Sequence, residues 1–135
     1  MEKKIYHLQW ETQLFMRVYA AAVSVRAILF AFFTHIVYKD VYPNGFAKQS
    51  DEISAVTVGI FLAALAIMSF SASFTKGGDL RRNTLALIFI ELLTFGAPLK
   101  VISEGLDYPH ILSVFHLVQL LILVYLYQGQ LKQTN

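Results

Sequence analysis

Apolar residues dominate four stretches of the chain, at residues 14–38, 53–74, 84–102 and 110–127, and charged or turn-forming residues separate them. Each stretch is near the roughly 17 to 25 residues that an α-helix needs to cross the hydrocarbon core of a bilayer. Little of the chain is left over. The pattern predicts an all-α fold, a single membrane domain over residues 1–135 built as an integral membrane four-helix bundle with antiparallel up-down topology. The separators read as turns. Tyr42, Pro43, Asn44 and Gly45 form a tight-turn signal, Lys76 to Asp79 predict a short helix-to-helix connection, and Gly105 and Pro109 break the chain before the fourth span. Pro98 is predicted to kink or end the third span early, because it lacks a backbone donor and clashes with the preceding turn. Residues 1–13 read either as a short surface helix leading into the first span or as a frayed charged tail.

Composition agrees: 56% of residues are hydrophobic, 15% are charged and the mean hydropathy is +0.55, too apolar for an ordinary soluble domain of this size. The net charge of +2 does not point to nucleic acid, since the basic residues are divided among chain ends and turns. Their distribution predicts an orientation instead. Lys3, Lys4 and Arg17 lie at the entry to the first span, Lys76, Arg81 and Arg82 fill the middle turn, and Lys132 follows the fourth span. Basic flanks favour the cytoplasmic side, so both termini are expected there, in a multi-pass protein of the cell (inner) membrane. Tyr6, Trp10, Tyr125 and Tyr127 would then mark the inner interface and Tyr38, Tyr42 and Tyr108 the outer one. The first span is expected to stay in the mature protein, because Arg26 sits at its middle and Lys39 and Asp40 follow it in place of a small-residue cleavage site. The absence of cysteine excludes disulfides, CxxC redox pairs and thiol nucleophiles.

The candidate chemistry lies in polar groups within the spans. Arg26 and Glu91 fall at matching depths of the first and third spans, which predicts a buried pair acting as helix glue or as a proton or substrate site. On the fourth span His110, Ser113, His116 and Gln119 follow one another at steps of three, a polar stripe descending toward the depth of Glu91. Arg26, Glu91, Ser113, His116 and Gln119 are the expected buried polar site, with Glu91 and His116 as acid and base if the protein is an enzyme. His35 and His110, near the outer ends of their spans, are the weak candidates for a metal, with Asp107 or Glu104, or for b-type haem. No HxxxH or HExxH spacing supports them, and no cofactor is expected. Small residues, Ala20, Ser24, Ala27 and Ala31 on the first span and Ala55, Gly59 and Ala63 on the second, predict close helix approach within one bundle or between copies.

The run Arg26, Ala27, Ile28, Leu29, Phe30, Ala31, Phe32, Phe33, Thr34, His35 resembles the opening helix of DoxX-like small membrane proteins, in which an Arg precedes an apolar run closed by a His. Glu52 ahead of the second span, Gly59 within it and the short basic turn fit the same architecture, while most of that family's glycines are missing. The resemblance implies a four-helix inner-membrane protein, accessory to a redox or transport system, and fixes no catalytic residue. Small multidrug exporters need an embedded acid in their first helix, which this chain lacks, and the Glu, Arg and Asn motif of membrane glutathione transferases is not found.

The sequence therefore supports an accessory subunit or small transporter in the lipid bilayer, alone, as a homo-oligomer or within a larger membrane complex. The rival readings are a membrane enzyme acting on a lipid-soluble substrate and a b-type haem carrier. In this cysteine-free chain a single cysteine at Asn44 is expected to react with an impermeant thiol reagent from outside the cell, and one at Gly77 to be protected. The opposite labelling preference would overturn the orientation.

Overall fold

The computed structural model describes residues 2–37, 49–103 and 110–132. The turn signals at residues 42–45, 105 and 109 lie outside the described residues. Four long helices and one single-turn helix are present among the described residues: α1 (Glu2–Phe32), α2 (Thr34–Val37), α3 (Gln49–Ala72), α4 (Gly77–Ser103) and α5 (His110–Lys132). The fold class is all-α, as expected from the sequence. Two segments, Leu8–Phe32 and Val114–Lys132, are long and apolar enough to cross a membrane, and Val56–Ala72 is a shorter apolar helix.

Two local expectations change. Residues 2–13 continue directly into the first apolar run as one helix, so the amino-terminal segment is not a frayed tail. Pro98 does not end α4, which runs through it to Ser103. The connection after α3 falls slightly before the expected position. The carbonyl of Lys76 accepts the first helical bond from Leu80, and Gly77, at φ +55°, makes the left-handed entry into α4 that glycine adopts without steric cost. Asp79 then sits in the first turn, where a negative charge suits the helix dipole, 3.4 Å from Arg82.

The chain divides into two compact units. The first comprises residues 1–14 and 74–135, which hold the start of α1 together with α4 and α5. On α4 the buried positions Leu80, Thr84, Leu87 and Glu91 recur at steps of four, three and four. On α5 His116, Gln119, Leu123 and Leu126 are buried at steps of three and four, and the half-buried Gln130 continues the series. Such 3–4 spacing keeps one seam facing a neighbouring helix. Glu91 meets His116 at one end of the seam and Thr84 meets Gln130 at the other, so α4 and α5 run antiparallel. A Cβ on Gly129 would lie 2.7 Å from the Cδ2 of Leu8, which brings α1 and α5 together.

The second unit comprises residues 15–73, that is, the rest of α1 with α2 and α3. Arg17 bonds Ser73, and Gly59 lies against Ala27 and Ala31, so these two helix segments are also antiparallel. They approach closely at Gly59, where a Cβ would stand 2.7 Å from the backbone nitrogen of Ala31 and 3.0 Å from the carbonyl oxygen of Ala27. The expected small-residue stripes hold there and not throughout. Ser24 and Ala63 are exposed, the side chain of Ala55 lies outside the described residues, and α3 buries Ala66, Ser69 and Ala72 instead.

Gly59→Ala is expected to destabilise the protein by about 1 to 3 kcal/mol, because helix backbone cannot move aside for a methyl group. Gly129→Ala is expected to cost less than about 1.5 kcal/mol, since the Leu8 side chain can rotate away. Equal losses of melting temperature for the two variants would contradict the backbone contact at Gly59.

Candidate buried polar site

Glu91 sits in the middle of α4 and is only 1% exposed, and His116, 8% exposed, faces it from α5. The seam spacing brings both inward. His116 Nδ1 lies 2.9 Å from Glu91 Oε2, a distance at which one hydrogen is held between the two atoms. An ionised carboxylate only accepts, so the imidazole then donates from Nδ1. A protonated carboxyl would instead donate to Nδ1. Movement of the proton along this one bond interconverts a charged and a neutral pair. General acid–base chemistry needs that arrangement, a carboxyl and an imidazole at hydrogen-bond distance and away from bulk water.

Gln119 lies one turn further along α5 and is 7% exposed. Its Oε1 is buried without a hydrogen-bond partner among the described residues. A buried carbonyl oxygen left in that state costs about 1 to 3 kcal/mol, so it is suited to accept from a water or another donor that enters the seam. Leu87, Ile88, Leu120 and Leu123 are buried apolar neighbours in sequence on this part of the α4–α5 pair.

The other end of the unit holds a polar cluster that sequence reasoning missed. Gln130 Nε2 donates to Thr12 Oγ1 at 3.1 Å and to Thr84 Oγ1 at 3.3 Å, so one amide group links α1, α4 and α5. Both threonine hydroxyls donate in turn to their own helices, to Leu8 O and Leu80 O, each at 2.8 Å. Gln13 Nε2 reaches Thr75 O at 2.8 Å, and Asn83 Nδ2 reaches Thr75 Oγ1 at 3.1 Å. The available signal was the spacing. Thr84 stands seven residues before Glu91, and Gln130 fourteen after His116, which places each pair on one helix face.

Of the expected site residues, Glu91, His116 and Gln119 are buried on the α4–α5 pair, and the first two are in direct contact. Ser113 and His110 are on α5 and His35 is on α2, with side chains outside the described residues. Arg26 is half-buried on α1 in the second unit. Its pairing with Glu91 stays a proposal. Among the described residues no group of three His, Cys, Asp or Glu side chains could hold a metal ion.

No family model, curated protein or solved structure matches the chain. The likeness to DoxX-like proteins therefore stands on the sequence features alone.

The contact between Glu91 and His116 is expected to appear as energetic coupling. Glu91→Gln and His116→Ala should each lower the unfolding free energy, and the double variant should lose less than their sum by about 0.5 to 3 kcal/mol. Additive losses in thermal or chemical unfolding would show that the two side chains act independently.

Proposed function

We propose that the chain is a multi-pass integral protein of the cell (inner) membrane that acts as a small transporter or accessory subunit through the buried site Glu91, His116 and Gln119. The observation that carries this reading is the 2.9 Å carboxyl–imidazole pair buried in a seam between long apolar helices. In the proposed arrangement the four long helices form an up-down bundle with both termini on the cytoplasmic side.

The distribution of side chains supports the membrane part. Only 28% of each of the two long apolar windows is buried, whereas the core helix of a soluble protein would be mostly covered. Val25, Phe32, Ile60, Phe61, Phe89, Leu93 and Leu121 all present more than half of their surface outward. Glu91, His116, Gln119, Thr12, Thr84, Ser69 and Ser73 are buried. Apolar outside and polar inside is the arrangement that hydrocarbon surroundings favour, where polar side chains turn to one another. Trp10 and Tyr125, 59% and 69% exposed, suit the headgroup level at the expected inner surface.

A second reading, a membrane enzyme acting on a lipid-soluble substrate, is favoured by the same contact, because Glu91 and His116 are already at acid–base distance. Proton movement separates the possibilities. In vesicles loaded with a pH-sensitive dye, the wild type is expected to conduct or exchange protons across an imposed gradient. Glu91→Gln and His116→Leu should abolish that flux with the protein still inserted and folded. Full flux in His116→Leu at unchanged thermal stability would overturn the role of the pair. A wild type without flux would exclude the transporter and leave the accessory subunit, to be identified by a co-purifying membrane partner, or the enzyme, to be identified by turnover of a lipid-soluble substrate.

A further inference from the structure

Gln119 and His116 each keep one polar atom unused. Gln119 is 7% exposed, and its Oε1 is buried without a hydrogen-bond partner among the described residues. Three residues earlier on α5, His116 engages Glu91 Oε2 through Nδ1 at 2.9 Å, and no bond to its Nε2 is found among the described residues. The two nitrogens lie on opposite sides of an imidazole ring, so the contact with Glu91 turns Nε2 away from that carboxyl. Exposure falls from 8% at His116 to 1% at Glu91. A proton arriving along α5 therefore meets the imidazole before the carboxyl.

The hydrogen-bonding capacity of the two atoms narrows what fits between them. An amide oxygen only accepts, whereas Nε2 accepts when the ring carries its single hydrogen on Nδ1 and donates when the ring is protonated. A water molecule serves both states. It donates one hydrogen to Oε1, and it either donates the other to Nε2 or accepts from Nε2–H. Were the amide turned over, the same water would accept from its NH2 group. Two polar partners are the fewest that hold a buried water. Residues three apart on a helix carry Cβ atoms about 5 to 6 Å apart, a span that the two hydrogen bonds of one bridging water match.

We propose that Gln119 holds one water molecule against His116 Nε2 and that this water exchanges protons with the imidazole. The role of the water rests on the proton-moving reading of the Glu91–His116 pair, and its site does not. In the loading step the water arrives as hydronium and gives its extra proton to Nε2. The Nδ1–H bond breaks as that hydrogen passes to Oε2 of ionised Glu91. The products are a neutral water, a neutral ring with its hydrogen on Nε2, and a protonated carboxyl, and the reverse step empties the site. Gln119 gives and takes no proton. It is a positioning residue that acts through the water, and the water's binding is favoured because it ends the isolation of a buried carbonyl.

The test uses the full chain, labelled with nitrogen-15 at histidine, in lipid bilayers. Solid-state NMR transfers magnetisation from water protons to ring nitrogens, and His116 is identified as the ring whose signals vanish in His116→Leu. The wild type is expected to show transfer from water to His116 Nε2. Gln119→Leu, similar in volume and apolar, should lose most of that transfer while the Nδ1 signal of the Glu91-bound ring and the melting temperature stay unchanged. In dye-loaded vesicles the same variant should conduct protons about tenfold more slowly, the equivalent of one hydrogen bond to the water. A wild type without transfer to Nε2, or equal transfer in wild type and Gln119→Leu, would overturn the proposal. So would a Gln119→Leu variant that loses melting temperature and the Nδ1 signal together with flux, because Gln119 would then be a helix contact. Transfer that depends on Gln119 in a wild type that conducts no protons would support the water site and overturn the proton-moving reading alone.

Discussion

A carboxyl group that is almost wholly removed from solvent needs a hydrogen-bond partner, and the antiparallel pairing of α4 with α5 supplies one to Glu91 from His116. That requirement fixes more than two side chains. Seam positions recur at steps of three and four, so a shift of either helix by one residue would separate Glu91 from His116. The same shift would pull Gln130 away from Thr12 and Thr84, the contacts that bind α1 to the other two helices. The apolar members of the seam, Leu87, Leu123 and Leu126, pack whichever way they are offered, whereas the polar members accept one register only. The polar contacts thus select the alignment.

The two units hold their helices together by different means. In the first, hydrogen bonds between side chains of different helices lie at both ends of an apolar seam. In the second, Gly59 lets α3 come within contact of the α1 backbone, and Arg17 with Ser73 adds one polar bond near the turn. Close packing of small residues leaves shallow grooves beside it wherever alanine faces alanine. Polar seams leave reactive groups instead. The buried Glu91–His116 contact lies on α4 and α5, and an open groove falls between α1 and α3.

Much of this was legible in the chain because long apolar runs announce helices by length alone. The costly polar residues within those runs named Glu91, His116 and Gln119 for the same physical reason. Helix faces were harder to read. Outward positions such as Phe61, Phe89 and Leu93 are as apolar as inward ones, so no amphipathic contrast marks the seam. Small size was an incomplete guide: Ala63 points outward while Ala66 and Ser69 are buried. Matching by depth offered Arg26 as a partner for Glu91, while the contact within the first unit, Glu91 with His116, comes through helix register. Of the two outcomes expected at Pro98, a kink or an early end, the early end does not occur, because a helix with turns on both sides can carry the loss of one backbone bond. The cluster around Gln130 was overlooked because polar residues at the ends of apolar runs resemble ordinary headgroup-level residues.

The central claim is that His116 and Glu91 share a hydrogen bond in a buried seam between α4 and α5. Solid-state nitrogen NMR of histidine-labelled protein in lipid bilayers tests it most directly. The account predicts one imidazole whose Nδ1 is hydrogen-bonded to a carboxyl group, exchanges slowly with deuterated water, and changes its Nδ1 signal in Glu91→Gln. An His116 ring that exchanges at once with bulk water, with the same spectrum in wild type and Glu91→Gln, would contradict it.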